Sequence, residues 1–214
     1  MLLHFTIGRC AALAESKLGA GRESKVFVML TLGTGIGGAL VIDGNLFDGV
    51  SFDSGDFGHH VIRSGHDAMP CVCGKSGCFE VHASAAGLTR HYHRLANAQC
   101  SFQQESVQAT SKMVLNAEDV IVAMRAGNSM AMDAFTQYMD DLSTGLANIV
   151  TFYNPDIICL GGGLSQAPEL FVGLQERIDE KTLPATRGKV RIVPSQLGTD
   201  SGAIGAALLC AMRA

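Results

Sequence analysis

The chain has 214 residues, a length that suits one large domain or two small ones. Its 16 Lys and Arg against 20 Asp and Glu give a formal net charge of −4, so no basic field attracts nucleic acid or an anionic membrane. Hydrophobic residues make up 47% and charged residues 17% of the chain. This composition excludes a disordered polymer and predicts a well-filled core.

The N-terminal part of the chain predicts a short helix followed by strands. The helix covers residues 9–18 and ends near Gly19 and Gly21. The uncharged stretch 26–42 is about as long as the shortest membrane-spanning helix, but four glycines inside it favour strand, turn and strand. No basic segment accompanies the apolar N-terminus, so we expect no secretion signal and a cytoplasmic location.

The pattern along the whole chain predicts a mixed α/β protein. Its consecutive segments are an N-terminal helical segment (1–24), strands (25–50), a loop without clear periodicity (51–80), helices (81–155) and a final α/β segment (156–214). The predicted strands are 25–32, 39–43, 45–50, 156–160 and 189–193, with an Asp43-Gly44 hairpin turn. The predicted helices are 9–18, 83–97, 117–126, 129–152, 168–181 and 202–212, and 98–112 is expected to be a polar link.

Three closely spaced cysteines predict a metal site. They lie in Cys71-Val-Cys73-Gly-Lys-Ser-Gly-Cys78, downstream of Gly58-His59. Three thiolates and one imidazole form a closed tetrahedral set, which is typical of structural zinc and leaves no position for a reactive water. We favour His59 as the fourth ligand, and His60, His66 and His82 remain alternatives because they are near in sequence. The zinc would order residues 51–80, whereas Cys10, Cys100, Cys159 and Cys210 are expected to be buried apolar residues.

Two glycine-rich loops are candidates for nucleotide binding. The first, Gly33-Thr34-Gly35-Ile36-Gly37-Gly38, lies between two predicted strands, which excludes the dinucleotide fingerprint that opens a helix. Its backbone N–H groups and the Thr34 hydroxyl suit phosphate oxygens, although a plain tight hairpin explains the motif equally well. The second, Gly161-Gly162-Gly163, follows a strand and precedes a helix.

Taken together, these motifs resemble the ROK family of sugar kinases and related repressors. Asp56-Phe57-Gly58-His59 and residues 71–80 are similar to that family's Glu-x-Gly-His and Cys-x-Cys-Gly-x-x-Gly-Cys-x-Glu. The loop 33–38 resembles the second phosphate loop of the actin-like ATPase fold, and 154–163 resembles the family's adenosine-side motif. The resemblance implies a C-terminal lobe of the actin-like, ribonuclease H-like α/β fold, formed as one unit by residues 1–214.

The resemblance also implies roles for individual residues. Asp56, His59 and Glu80 would contact sugar hydroxyls, and His59, Cys71, Cys73 and Cys78 would hold structural zinc. ATP, with Mg²⁺, would meet Gly33, Thr34, Gly35, Gly37, Gly161, Gly162 and Gly163. Carboxylates accept hydrogen bonds from vicinal hydroxyls, although Asp56 is one methylene shorter than the family's Glu. For Glu80, a solvated position at a helix start is the alternative.

The front of the chain departs from the family pattern. Complete members carry an Asp-x-Gly-Gly-Thr phosphate hairpin, and an Asn-Asp pair before the helix that corresponds to residues 9–15. Here Thr6 and Ile7 stand in the place of Asn-Asp, and Ile7 cannot accept the proton that the family's Asp removes from the sugar. We therefore expect the N-terminal lobe and the catalytic residue to be missing from this chain.

The sequence thus predicts a ROK-type ATP-dependent hexose kinase that is incomplete and weakly active or inactive as this chain. The substrates would be a hexose or N-acetylhexosamine and ATP, and the resemblance implies a homodimer without membrane or nucleic-acid partners. The alternative is a non-catalytic relative that senses or only binds sugar.

Overall fold

The computed structural model describes residues 6–50, 54–102 and 116–211, and within them the side chains of all but 99–102. These residues form a mixed five-stranded sheet in the order β3-β2-β1-β4-β5. The strands are β1 (Val26–Leu32), β2 (Ile36–Ile42), β3 (Asn45–Leu46), β4 (Ile157–Gly161) and β5 (Arg191–Pro194). The helices are α1 (Ile7–Leu18), α2 (Phe79–Ala83), α3 (Ala85–Phe102), α4 (Ala117–Arg125), α5 (Ser129–Tyr153), α6 (Leu174–Lys181) and α7 (Ser201–Ala211), accompanied by short 3₁₀ helices.

Strand β1 is the centre of the sheet. It pairs antiparallel with β2 and parallel with β4, which itself pairs parallel with β5. Its side chains alternate between two hydrophobic clusters: Val28, Leu30 and Leu32 face one, and Phe27 and Met29 face the other. A strand buried on both faces has an almost continuous apolar sequence, as the run VFVMLTL shows.

The two faces of the sheet carry unequal layers. The larger cluster packs side chains of α2, α3, α4, α5 and α6 against one face. The opposite face is covered by Ala11 and Ala12 of α1, and α7 packs on the outer side of α1. Almost the whole of α1 is buried for this reason, although its sequence is that of an ordinary amphipathic helix.

Buried charges fix α1 at both ends. Near its start, Arg9 forms an ion pair with Asp48 and donates to the carbonyl of Ser54 at 3.1 Å. Near its end, the fully buried Glu15 accepts from Ser195 Oγ at 2.5 Å and from the backbone N–H of Leu197 at 2.8 Å. These contacts hold the segment after β5 against α1. The Glu15 carboxylate can be buried there because it accepts these hydrogen bonds.

The mixed α/β class and the three successive antiparallel strands are confirmed, with changed bounds. The turn between β2 and β3 has positive φ at Asp43 (49°) and Gly44 (73°), which a two-residue hairpin turn requires. Strand β2 begins at Ile36, three residues earlier than predicted. Strand β3 contains two residues where six (45–50) were predicted, and β5 begins two residues later than predicted.

Three helical predictions need correction. The helix predicted over 83–97 is two helices, because Ser84 is extended (φ −83°, ψ 175°) and its Oγ accepts from the N–H of Gly87. Helix α3 continues to Phe102, so the predicted link at 98–112 is helical at its start, while 103–112 lie outside the described residues. The helix predicted over 168–181 is a 3₁₀ turn followed by α6, since Gly173 (φ 68°) interrupts it.

Of the four remaining cysteines, Cys10 and Cys159 are buried as predicted, whereas the prediction for Cys210 is wrong because it is exposed on α7. The side chain of Cys100 lies outside the described residues. No helix in the described ranges combines the length and the apolar character needed to cross a bilayer.

The close approach of α1 and α7 yields a stability prediction. A Cβ at Gly205 would lie 1.8 Å from the carbonyl oxygen of Cys10, so Gly205→Ala must push the two helices apart. We expect a loss of about 1–3 kcal/mol, or roughly 2–12 °C in the thermal midpoint. Gly202→Ala on the same helix is the control, since its Cβ meets only the Cγ2 methyl of the exposed Ile7, at 3.1 Å. Equal midpoints for the two variants would contradict this packing.

Candidate functional site

The two glycine-rich loops lie side by side at one edge of the sheet. Strands β1 and β4 are parallel neighbours with Thr31 opposite Gly161, so the loops that follow them leave the same edge. Gly162 adopts φ 87°, and a Cβ there would stand 2.6 Å from the carbonyl oxygen of Leu32. Glycine at this position therefore allows the second loop to touch the end of β1.

Hydrogen bonds hold the first loop, Gly33-Thr34-Gly35, in shape. The N–H of Gly33 donates to the carbonyl of Gly35 at 3.0 Å, and the carbonyl of Gly33 accepts from the N–H of Ala85 at 2.8 Å. Glu80 Oε2 accepts from the N–H of Ile36 at 2.9 Å. Within the described residues, no backbone partner engages the N–H of Thr34 or Gly35, which are thus the donors that the loop offers to an anion.

A cavity of about 450 Å³ separates the two loops. One wall comes from the first loop and the start of α3, another from α4, and the third from the second loop and the 3₁₀ turn after it. Gly33, Thr34 and Gly163 line it, whereas Gly35, Gly37, Gly161 and Gly162 do not. Gly37 instead lies inside β2, paired with Thr31. The lining residues are Gly33, Thr34, Ala85, Asn116, Ala117, Glu118, Ile121, Arg125, Gly163, Leu164, Gln166 and Ala167.

His59, Cys71, Cys73 and Cys78 form what we call the cysteine cluster. One ligand atom from each lies within 4.8 Å of all the others. Cys71 Sγ is 3.6 Å from His59 Nδ1, and Cys73 Sγ is 3.5 Å from Cys78 Sγ. The ligand atoms of a tetrahedral zinc ion, bonded at about 2.0–2.3 Å, stand about 3.5–3.8 Å apart. The four side chains therefore fit zinc in both chemistry and spacing.

The other histidines that were sequence alternatives point elsewhere. His60 Nδ1 donates to the carbonyl of Phe57 at 2.6 Å, and burial lowers the pKa of His60. His66 is exposed in a 3₁₀ turn, and His82 is buried beside Asp141. Among the described histidines, the structure brings His59 alone to the three thiols.

Local groups already polarise the thiols of the cysteine cluster. The backbone N–H of Lys75 lowers the pKa of Cys73, whereas burial raises that of Cys78 to about 12. Lys75 Nζ also donates to the carbonyl of His59 at 2.8 Å, which places a positive charge at the edge of the cluster. A dication is the natural counter-charge for buried thiolates, because metal binding deprotonates them.

The three residues predicted to bind sugar surround this cluster on one side. His59 Nδ1 faces the sulfur atoms, so Nε2 points outward and lies 3.9 Å from Asp56 Oδ2. Glu80 is the second residue of α2, two residues after Cys78, and its hydrogen bond to Ile36 joins the segment of the cysteine cluster to the first glycine loop. A Cβ at Gly35 would lie 2.3 Å from Glu80 Oε2, so this contact also requires glycine at position 35. Glu80 is thus half-buried and hydrogen-bonded, and not the solvated helix start that was its alternative.

A buried charge network, which the sequence did not reveal, supports the segment that carries the cysteine cluster. Asp141 on α5 pairs with Arg63, whose strand-like segment bridges to Cys78 through Val61. Asp141 Oδ2 also lies 3.5 Å from His82 Nδ1 and 3.1 Å from His91 Nε2. Burial would raise the pKa of Asp141, but hydrogen bonds from the two histidines and Arg63 hold it well below its usual range.

Protons account for this network better than a second metal ion does. The N–H of Met69 donates to His82 Nε2 at 3.3 Å, so the proton of His82 resides on Nδ1, which faces Asp141. His91 Nε2 lies 3.0 Å from the carbonyl oxygen of His82, which only accepts, so this nitrogen also carries a proton. A metal would need lone pairs at both positions; we therefore assign Asp141 as a carboxylate that accepts from Arg63 through Oδ1 and faces the two imidazole N–H groups through Oδ2.

Comparison with known proteins identifies the family. The model of the ROK family matches residues 8–213. The chain is 36% identical over 200 residues to a glucokinase of Halalkalibacterium halodurans, and 35% identical over 212 residues to an N-acetylgalactosamine kinase of Shewanella. These matches cover 91% and 94% of this chain, but 59% and 62% of the relatives. The chain therefore spans about three fifths of the length of these curated relatives.

Solved structures agree with this assignment. A ROK family glucokinase from Streptomyces griseus, determined with glucose and AMPPNP, superimposes with a TM-score of 0.79 at 29% identity, over 95% of this chain and 66% of that one. A ROK hexokinase from Thermus thermophilus gives a TM-score of 0.76 at 29% identity, over 94% of this chain and 64% of that one. The chain belongs to the ROK family, and its fold is that of the actin-like sugar kinases.

The charge network predicts a specific pH dependence of stability. Asp141→Asn leaves Arg63 without its buried partner, so we expect a loss of about 3 kcal/mol, or roughly 6–12 °C in the thermal midpoint. The folded-state pKa of Asp141 is depressed, so its contribution is complete above about pH 4 and declines as pH falls towards the folded-state value. As the pH is lowered below about 4, the thermal midpoint of the wild type should therefore fall more steeply than that of the variant.

The neighbouring Asp140 provides the matched control for this experiment. Its side chain is half exposed and bonds Lys181 Nζ at 2.6 Å and Arg63 at 3.5 Å. Asp140→Asn should cost no more than about 1 kcal/mol, because exposed ion pairs contribute little. If Asp140→Asn and Asp141→Asn lower the midpoint equally, the buried network is not the support described above.

Proposed function

We propose that this chain forms the nucleotide- and sugar-binding part of an ATP-dependent ROK kinase for a hexose or N-acetylhexosamine. The observation that carries the proposal is the cavity between the two glycine loops, the first of which Glu80 links to the segment that carries the cysteine cluster. Curated relatives at 35–36% identity are a glucokinase and an N-acetylgalactosamine kinase, which supports this class of substrate.

In this proposal, the phosphates of ATP lie at the first glycine loop. The N–H groups of Thr34 and Gly35 and the Thr34 hydroxyl donate hydrogen bonds to phosphate oxygens, and Glu80 keeps the loop in the shape that presents them. Bound Mg²⁺ would neutralise charge on the transferred phosphate. The base and ribose extend along α4, with Gly163 and the turn after it lining the same cavity.

The sugar would lie against Asp56, the outward Nε2 of His59, and Glu80. Each carboxylate can accept hydrogen bonds from two hydroxyl groups, while His59 Nε2 carries a proton when Nδ1 is a metal ligand and so donates to a sugar oxygen. Glu80 touches both substrates' sites in this arrangement. Its position couples sugar binding to the geometry of the phosphate loop.

Zinc is proposed as a structural ion held by His59, Cys71, Cys73 and Cys78. Its four positions would be filled by protein, so its chemistry would be to fix the loop and the orientation of His59. Residues 54–78 contain two isolated bridges and short 3₁₀ turns as their regular structure, which is little for a segment of this length. A reducing cytoplasm, which would keep the thiols available, is part of the proposal.

No residue of this chain is proposed as the general base. Ile7, at the position of the family's Asp, is 78% exposed at the start of α1 and has no group that accepts a proton. General-base catalysis contributes about 10²–10⁴-fold in rate, so these 214 residues are proposed to bind substrates better than they turn them over. A homodimer, as the resemblance implies, remains a prediction.

The non-catalytic alternative shares the fold. A ROK transcriptional regulator, described as a homologue of E. coli MLC, has a TM-score of 0.76 at 27% identity. The fold alone therefore does not separate a kinase from a sugar-responsive regulator. The kinase relatives named above, with higher sequence identity, favour the kinase.

The zinc proposal predicts one zinc ion per chain. Protein purified without chelator should contain about one zinc by elemental analysis, because the four ligands form one closed set. Cys73→Ala should abolish this content and lower the thermal midpoint, whereas Val72→Ala, at an equally exposed neighbour, should change neither. Zinc-free protein with an intact fold would refute the proposal.

The kinase proposal predicts binding with slow turnover. Isothermal titration should detect Mg·ATP and at least one of glucose, mannose, fructose or their N-acetyl forms, while ADP release stays low. Gly35→Val should abolish ATP binding, because its side chain would strike Glu80 and distort the loop. Val72→Ala is again the control. Absence of binding by every sugar and by ATP would overturn the proposal, and rapid ADP release would overturn the assignment of Ile7.

A further inference from the structure

An ion pair closes one end of the nucleotide cavity. Arg125, in the last turn of α4, donates from Nε to Glu169 Oε1 at 2.7 Å and from Nη2 to Glu169 Oε2 at 2.9 Å. Two parallel hydrogen bonds fix the guanidinium in the plane of the carboxylate. Glu169 belongs to the second 3₁₀ turn after the second glycine loop (Pro168–Phe171), which directly follows the cavity-lining Ala167, so the pair ties α4 to the chain that continues the opposite wall.

Helix α4 sets the distance between this ion pair and the phosphate loop. Its first residue, Ala117, lies with Asn116 beside Thr34, since all three also line an adjoining pocket. Arg125 lies eight residues further along the helix, which is about 12 Å at 1.5 Å per residue. An extended triphosphate and ribose separate a base from the terminal phosphates by a comparable length. Phosphates at Thr34 therefore bring the base to Arg125.

The chemistry at this end of the cavity suits a flat, neutral ring. Ile121, Leu164 and Ala167 supply apolar walls, and Gln166 offers an amide. Hydrogen bonds from Arg125 lower the pKa of Glu169 to about 2, so both groups stay ionised at neutral pH and their charges cancel. The pair therefore offers a planar surface with little net charge, which is a poor phosphate anchor and a good partner for an aromatic face.

We propose that Arg125, held flat by Glu169, is the stacking surface for the nucleotide base and a determinant of nucleotide affinity. This inference rests on the proposed function, because it requires a nucleotide in the cavity. It adds a residue outside both glycine loops to the site. Arg125 and Glu169 are separated by 44 positions in the sequence, and the fold brings them together.

The test compares a ligand with a base and one without it. The chain contains no Trp, so calorimetry is preferred to intrinsic fluorescence for titrating Mg·ATP and magnesium tripolyphosphate. Arg125→Lys keeps the positive charge and removes the planar guanidinium, and Arg125→Leu removes both. Each variant should weaken ATP binding about tenfold, because one stacked base contributes about 1–3 kcal/mol. The dissociation constant for tripolyphosphate should stay within about twofold of the wild-type value. Thermal melts confirm that the variants are folded.

Glu169→Gln distinguishes stacking from phosphate binding. If Arg125 stacks on the base, the Glu169 carboxylate no longer fixes the orientation of the guanidinium in this variant, and ATP binding weakens. If Arg125 anchors phosphate, its unpaired charge should instead strengthen the binding of both ATP and tripolyphosphate, and this result would overturn the inference. Wild-type ATP affinity in Arg125→Lys, or equal losses for both ligands, would also overturn it while leaving the proposed function intact. Wild-type protein that binds neither ligand would overturn both.

Discussion

The parallel pairing of β1 with β4 determines where everything else in the site lies. The two strands are separated by more than a hundred residues, yet their register sets Thr31 opposite Gly161. Both strands are buried, so a shift in register would move apolar side chains out of two hydrophobic clusters at once. The glycine loops that follow are therefore held at a fixed separation by the core. The cavity between them is a consequence of strand pairing and not of loop sequence alone.

The segment that carries the cysteine cluster depends on a different kind of support. It has little regular hydrogen bonding of its own, and it is tied to the helical layer by Asp141 through Arg63 and through His82. A buried carboxylate is stable there because basic and neutral donors surround it, and removing one partner leaves the others uncompensated. Zinc, if bound as proposed, would fix the outer side of the segment, while Asp141 fixes the inner side. The two supports act on the same short stretch from opposite directions.

Local sequence was sufficient wherever the chemistry is local. Cys71, Cys73 and Cys78 lie within eight residues, so their spacing alone indicated a convergent set, and glycines marked both loops and the Asp43-Gly44 turn. Contacts between distant residues could not be predicted in this way. Arg63 and Asp141 are 78 positions apart, and Glu15 and Ser195 are 180 apart, so nothing in either neighbourhood identifies the partner. Helix breaks at Ser84 and Gly173 were missed because the apolar pattern continues across them.

Glu80 shows how the two kinds of support meet. Its position two residues after Cys78 places it at the end of the segment that carries the cysteine cluster, and its side chain accepts from the N–H of Ile36 at the start of β2. Any displacement of the cluster would therefore be transmitted to the loop that precedes Ile36, because Glu80 Oε2 packs directly against Gly35, where a Cβ would otherwise stand. Zinc, bound as proposed, would thus influence the proposed phosphate site without touching a phosphate. One carboxylate thus links the segment that carries the cysteine cluster to the first glycine loop.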